Sequence, residues 1–250
     1  MSLDALPSVT LSEHSGVRYL HLDTPWVQGA MLIREPRAIV LEYVQRMMAW
    51  MLWRPTGELA RGHAVQLGLG AATITRFCHG VLRMPRVTAV EINPAVIAAC
   101  RHGFALPADD ARLRVVQADA GGWVAEPTHR GSAQVLAVDL YDHEAAAPVL
   151  DSDVFYSRCR DVLAPGGVMS VNLFGRHASF RASADRIAAA FGRDQVWSLT
   201  PTREGNTVVI AARGVAVPER EELRDRVASI ERLCGLPARK WLRMVRPLPD

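Results

Sequence analysis

The segment His63-Ala-Val-Gln-Leu-Gly-Leu-Gly70, with the residues that follow it up to Glu91, constrains the fold more than any other part of the chain. Ala64 to Leu67 reads as a short apolar strand running into two glycines, and Ala72 to Leu82 carries a helical pattern. Gly68 and Gly70 let the backbone turn tightly and approach a ligand closely, because no Cβ stands in the way. A second strand, Val87-Thr-Ala-Val-Glu91, ends on a carboxylate about 20 residues beyond the glycines. An acid at that strand end can accept hydrogen bonds from both hydroxyls of a ribose. Strand, glycine turn, helix, strand and terminal acid together predict a nucleoside-binding βαβ unit. Thr73 stands where a third glycine would complete G-x-G-x-x-G, so the dinucleotide fingerprint is incomplete.

The 250-residue chain has room for one large α/β domain and a small appendage. Apolar residues make up 49% and charged residues 22%, the balance of a soluble globular protein. The most apolar helical run, Ile39 to Trp53, is interrupted by Glu42, Gln45 and Arg46, so no membrane span is expected. Met1-Ser-Leu-Asp-Ala-Leu-Pro7 lacks the basic start and apolar stretch of a signal peptide, and a cytoplasmic location is the expectation. A net charge of +3, spread along the chain, argues against a nucleic-acid partner. Cys78, Cys100, Cys159 and Cys234 form neither a C-x-x-C pair nor a Cys/His cluster; buried thiols are expected, with no disulfide and no metal.

Taken in order, residues 8–35 alternate apolar and polar around turn formers and predict a small antiparallel β-unit, with Gln28 in a strand that could lean over the nucleoside pocket. A helix is expected from Pro36 to about Trp53, its Ile39, Tyr43, Met47 and Trp50 stripe facing the core. Asn93-Pro94 starts the next helix. Arg112 to Asp119 is a third strand; Asp119 suits a contact to an adenine amino group and equally an N-cap for the helix near Gly121. Gln134 to Asp139 is a fourth strand, apolar throughout, and it leads into Asp139-Leu-Tyr-Asp142 at the edge where open α/β sheets bind ligands. A helix from about Asp153 to Leu163 should stop at Ala-Pro165-Gly-Gly167, followed by strand Val168 to Leu173 and helix Phe180 to Phe191. Strands Gln195 to Leu199 and Thr207 to Ala212 flank the turn Arg203 to Asn206, and residues 219–246 read as a charged amphipathic helix plus tail. The units are thus 1–35 (β-unit), 36–217 (nucleoside-binding domain) and 218–250 (helix and tail).

Val-Gln-Leu-Gly-Leu-Gly, Ala-Val-Glu-Ile-Asn-Pro, Val-Gln-Ala-Asp-Ala, Val-Asp-Leu-Tyr-Asp and Leu-Ala-Pro-Gly-Gly-Val resemble the S-adenosylmethionine-dependent methyltransferase fold, and within it the spermidine synthase (polyamine aminopropyltransferase) branch. The likeness runs from about Val17 to about Arg213, and the last helix is similar to bacterial spermidine synthase-like proteins. It implies a Rossmann-like, seven-stranded sheet with the last strand antiparallel, decarboxylated S-adenosylmethionine as co-substrate, and a small-molecule amine as acceptor, with a homodimer allowed. It also implies roles: Gln28 near the thio-ribose, Glu91 on the ribose, Asp119 on adenine, Asp139 as catalytic carboxylate, Asp142 and Tyr43 at the amine.

The chain departs from the family pattern in two places. The family's G-G-G-D-G-G loop, whose aspartate holds the donor's amino end, reads Gly68-Leu-Gly-Ala71-Ala72-Thr73, and its Tyr-His-Glu reads Val44-Gln45-Arg46 with Tyr43 one place off. A dication needs carboxylates to offset its desolvation, so putrescine is expected to be a poor acceptor. Two other readings stay open: a methyltransferase using intact S-adenosylmethionine, and a nucleoside-binding protein without turnover.

Overall fold

Alternation of apolar residues along the central strands decides the architecture, because successive side chains on a strand point to opposite faces. In β7 (Ala133–Val138) Val135 and Ala137 enter one core, while Leu136 and Val138 enter the other. The same division holds in β5 (Arg86–Glu91) and β10 (Asn206–Ala212). Strands that are apolar on both faces must be covered on both. A computed structural model, describing residues 6–140, 150–174 and 177–248, shows that cover. Helices α2 (Thr73–Gly80), α3 (Pro94–Gly103), α7 (Arg220–Cys234) and α8 (Ala238–Met244) pack on one face, together with α1 (Glu42–Met47). Helices α4 (Ala120–Ala125), α5 (Asp153–Val162) and α6 (His177–Phe191) pack on the other.

The sheet contains β4 (His63–Leu67), β5, β6 (Leu113–Gln117), β7, β8 (Leu163–Phe174), β9 (Val196–Leu199), β10 and β11 (Val245–Pro247), in the order β11-β9-β10-β8-β7-β4-β5-β6. β4 pairs in parallel with both β5 and β7, so the strand order reverses across β4 and opens a crevice at the carboxyl ends of these strands. β10 is antiparallel to β8 and β9. This is the expected seven-stranded methyltransferase-type sheet, extended at one edge by the short β11. At the other edge, the Asp109 carboxylate accepts the Val115 N–H at 3.2 Å and is itself paired with Arg101.

A separate antiparallel meander, β1 (Val9–His14), β2 (Val17–Leu22) and β3 (Gly29–Leu32), precedes the sheet. It is anchored by the Arg18 guanidinium on the Gly103 carbonyl and by the Asn93 Nδ2 on the Pro7 carbonyl at 2.9 Å. β3 lies directly on the glycine turn: a Cβ at Gly29 would stand 2.5 Å from that of Ala71. Gly29→Ala should therefore cost about 1–3 kcal/mol through overpacking. Gly57→Ala, whose Cβ would meet nothing within 4 Å, should not. Thermal unfolding of the two variants side by side checks this; equal melting temperatures would show that the meander does not press on the loop.

Three elements differ from the sequence expectation. The long helix is only α1, followed by a 3-10 segment Met48–Trp53 that is buried throughout. Residues 36–41 are drawn out of helical form by side chains that claim their carbonyls, Arg76 taking Pro36 and Gln45 taking Ile39. Ala164-Pro-Gly-Gly167 is part of β8 rather than a stop, because Gly166 adopts φ +77° and the pairing with β7 shifts register between Ala133 and Val135. The C-terminal helix is two helices, broken where Gly235 takes the left-handed conformation at φ +67°. α7 packs through its own cation: Arg226 is buried, donates to the Leu52 carbonyl at 2.7 Å and pairs with Glu222.

Candidate active site

The glycine turn after β4 takes its shape from backbone conformations only glycine holds cheaply. Gly68 has φ +82°, and a Cβ there would stand 2.1 Å from the Asp139 carbonyl oxygen. The turn is pinned by the Gly68 N–H on the Val90 carbonyl (2.9 Å), and the Asp139 N–H bonds the Leu67 carbonyl (3.0 Å). Gly70, at φ +50°, leaves room for the Gln28 carbonyl, from which a Cβ would be 3.2 Å away. Ala72 is left-handed at φ +56°, and α2 starts immediately after it.

Glu91, at the end of β5, closes on this turn. Its Oε2 accepts the Leu69 N–H at 2.8 Å and its Oε1 accepts the Asn93 N–H at 2.9 Å. Burial raises its carboxyl above the usual range, and these backbone donors partly offset that by favouring the charged form. Glu91 therefore organises the loop; each carboxylate oxygen keeps a further lone pair for a donor from outside. Asp119, at the end of β6, is exposed and caps α4 through its Oδ2, which accepts the Gly122 N–H at 2.7 Å, so the N-cap role read from the sequence is present.

Gln28 lies in the bend just before β3 and not within a strand as expected. Its N–H holds the Leu20 carbonyl at 2.8 Å, while its Nε2 is buried with no hydrogen-bond partner. A buried donor left unmatched is costly, and a ligand acceptor over the Gly70 turn would satisfy it. That orphan is what fits a nucleoside to these residues.

Asp139, at the end of β7, is the best-supported side chain of the crevice. Asn172 Nδ2 donates to its Oδ1 at 2.9 Å and the Tyr43 hydroxyl to its Oδ2 at 3.2 Å. Asn172 in turn accepts from Asn206 Nδ2 at 3.2 Å, tying the carboxylate through β8 to β10. Burial raises the Asp139 carboxyl above the ordinary carboxylate range, with the Asn172 and Tyr43 bonds opposing. Asn172 was missed by sequence reasoning, although a lone amide near the carboxyl end of the otherwise apolar Val168-Met-Ser-Val-Asn-Leu173 run was the signal for it. Asp142 lies outside the described residues. Arg46 is not an open charge beside the amine site: it pairs with Glu42 at 2.7 Å and donates to the Thr200 carbonyl. Among the described residues, no group of three or more His, Cys, Asp or Glu could hold a metal ion. No helix there is long and apolar enough to cross a membrane.

The glycine turn, Glu91 and Asp139 thus lie on the ends of neighbouring strands of a Rossmann-like, methyltransferase-type sheet. The chain is 31% identical over 236 residues to the polyamine aminopropyltransferase of Chromobacterium violaceum, covering 94% of this chain and 88% of that protein. It is 30% identical over 237 residues to that of Neisseria meningitidis serogroup A, with the same coverage of 94% and 88%. The chain belongs to the polyamine aminopropyltransferase family. Among solved structures, it superposes on a probable spermidine synthase from Corynebacterium glutamicum with a TM-score of 0.72 at 21% identity, covering 92% of this chain and 85% of that one. Human methyltransferase-like protein 13 in complex with SAH gives 0.68 at 20% identity, covering 84% and 96%. These two establish likeness of fold. No family model matches the sequence.

Proposed function

We propose that the chain transfers an aminopropyl group from decarboxylated S-adenosylmethionine to an amine. The observation that carries this is Asp139, a half-buried carboxylate held on both oxygens at the switch point and touching the glycine turn. Such a donor supplies a methylene carbon activated by the neighbouring sulfonium. Attack forms a C–N bond, breaks the C–S bond, and returns the electron pair to sulfur as a neutral thioether.

In this reading Gln28, Glu91, Asp119 and the Gly68–Gly70 turn hold the nucleoside, which fixes the reacting carbon against the acceptor. Asp139 accepts hydrogen bonds from the attacking nitrogen and takes up the proton it loses; its raised carboxyl is a stronger base than an exposed aspartate. Tyr43 and Asn172 keep the carboxylate aimed, and binding the acceptor is the role assigned to Tyr43 and Asp142. Cytoplasmic placement and homodimer formation remain part of the proposal.

A second reading, methyl transfer from intact S-adenosylmethionine, is favoured by Ala71. It is buried where the resemblance has an aspartate for the donor's amino end. The test assays both donors against a panel of amines, following methylthioadenosine release and methylation in parallel. Release with the decarboxylated donor alone supports the first reading; methylation alone replaces it with the second. Putrescine should be about tenfold or more less efficient in kcat/KM than a monoamine or less charged acceptor. Each buried ammonium without a charged partner forgoes a hydrogen bond worth about 1.5–3 kcal/mol. Putrescine emerging as the preferred amine would remove that inference.

A further inference from the structure

A cavity of about 910 Å³ lies apart from the strand-end crevice. It lies on the outer side of α2, closed in by residues 35–39, the C-terminal end of α2, residues 105–107 and the α7–α8 turn. Its charged lining is one-sided: Arg37, Arg76, Arg83 and Arg112 against a single carboxylate, Glu35.

None of the four guanidinium groups has a carboxylate partner among the described residues. Arg76 is 3% exposed, and its donors go to the Pro36 and Ala71 carbonyls and the Thr73 hydroxyl. It stays cationic although burial lowers it to about 10. Arg112 donates through Nη1 to the His79 and Met84 carbonyls at 3.1 and 3.3 Å. Arg37 and Arg83 have no side-chain hydrogen bond or ion pair with any described residue. The nearby acid, Asp110, is taken up by His79 at 2.9 Å and by the Arg112 and Leu113 N–H groups at 2.7 Å each. A concave surface holding a buried, uncompensated cation gains when an anion displaces its water.

From this geometry we propose that the cavity is a second ligand site, for a small phosphorylated molecule carrying at least two negative charges. Guanidinium forks match phosphoryl oxygens two at a time. The volume exceeds what a phosphate alone needs and falls in the range of small-molecule sites, and the exposed Pro107 offers apolar surface for the organic part, with the buried Phe77 and Leu236 behind the wall. The proposal does not depend on the transferase reading, since none of these residues belongs to the strand-end crevice.

Calorimetric titration with inorganic pyrophosphate, at fixed ionic strength and with methylthioadenosine saturating, tests it. The wild-type chain should bind. The double variant Arg37→Ser/Arg83→Ser, both at exposed positions, should bind about tenfold or more weakly. Glu35→Gln, which removes the opposing charge, should bind about two- to fivefold more tightly. A gain of affinity cannot come from unfolding. Titration with a nucleoside 5′-diphosphate should give tighter binding than pyrophosphate if the apolar wall is used. No binding by the wild type, binding abolished by methylthioadenosine, or affinity unmoved by both sets of variants overturns the proposal.

Discussion

Asp139→Asn should lower turnover by about 10²–10⁴, the range contributed by a positioned general base, while methylthioadenosine still binds with nearly its full affinity. The substitution keeps the shape of the site: the new Oδ1 can accept from Asn172 and the new Nδ2 can donate to the Tyr43 oxygen. What disappears is the charge. The sign of the pH dependence follows from the raised carboxyl. Only the deprotonated form accepts a proton, so wild-type kcat/KM should fall as pH drops through this raised value, and the acidic limb should sit above that of an ordinary aspartate. Stability runs the opposite way. A carboxyl raised in the folded state binds its proton more tightly there than in the unfolded chain, so stability falls as pH rises through that interval. The asparagine variant escapes this penalty and should melt no lower than wild type at neutral pH. Near-normal turnover by Asp139→Asn on the true substrate would refute the aminopropyl mechanism.

Glu91→Ala should weaken methylthioadenosine binding by about 1.5–3 kcal/mol, the cost of losing hydrogen bonds to a charged group, or about 10- to 150-fold. The structure adds a second consequence, because the same carboxylate holds the Leu69 and Asn93 N–H groups. Alanine therefore also loosens the turn, whereas Glu91→Gln keeps one acceptor and should fall between. Calorimetry on variants with wild-type circular dichroism separates binding from folding. Unchanged affinity in a folded Glu91→Ala protein would take Glu91 out of the site.

The backbone of the candidate site was legible because it is local. Gly68, Gly70 and Glu91 sit within one βαβ unit, and Asp119 and Asp139 each follow a strand, that before Asp139 being almost wholly apolar, so period and spacing locate them. What escaped was set by contacts distant in sequence. The Asn172–Asp139 bond joins neighbouring strands 33 residues apart. Arg46 stands where the resemblance has a glutamate, and Glu42 one turn earlier and the Thr200 carbonyl absorb its charge. The helix from Pro36 has the right stripe of apolar residues, but Arg76 of α2 takes the Pro36 carbonyl and Gln45, within the run itself, takes that of Ile39 through its side chain, so propensity loses to these contacts. β11 is three residues long and carries no periodicity; only its pairing with β9 defines it.

That short strand bears on how the molecule behaves in company. An open sheet presents unpaired N–H and C=O groups along its two outer strands, a template on which other chains can add. Here one margin ends in β11, brief, exposed at Arg246 and Pro247, with proline lacking an N–H to offer. At the opposite margin, Asp109 has already claimed the Val115 N–H. Both rims are thus poor templates, and a concentrated solution of the folded protein should resist the strand-to-strand growth that a bare eight-stranded sheet invites.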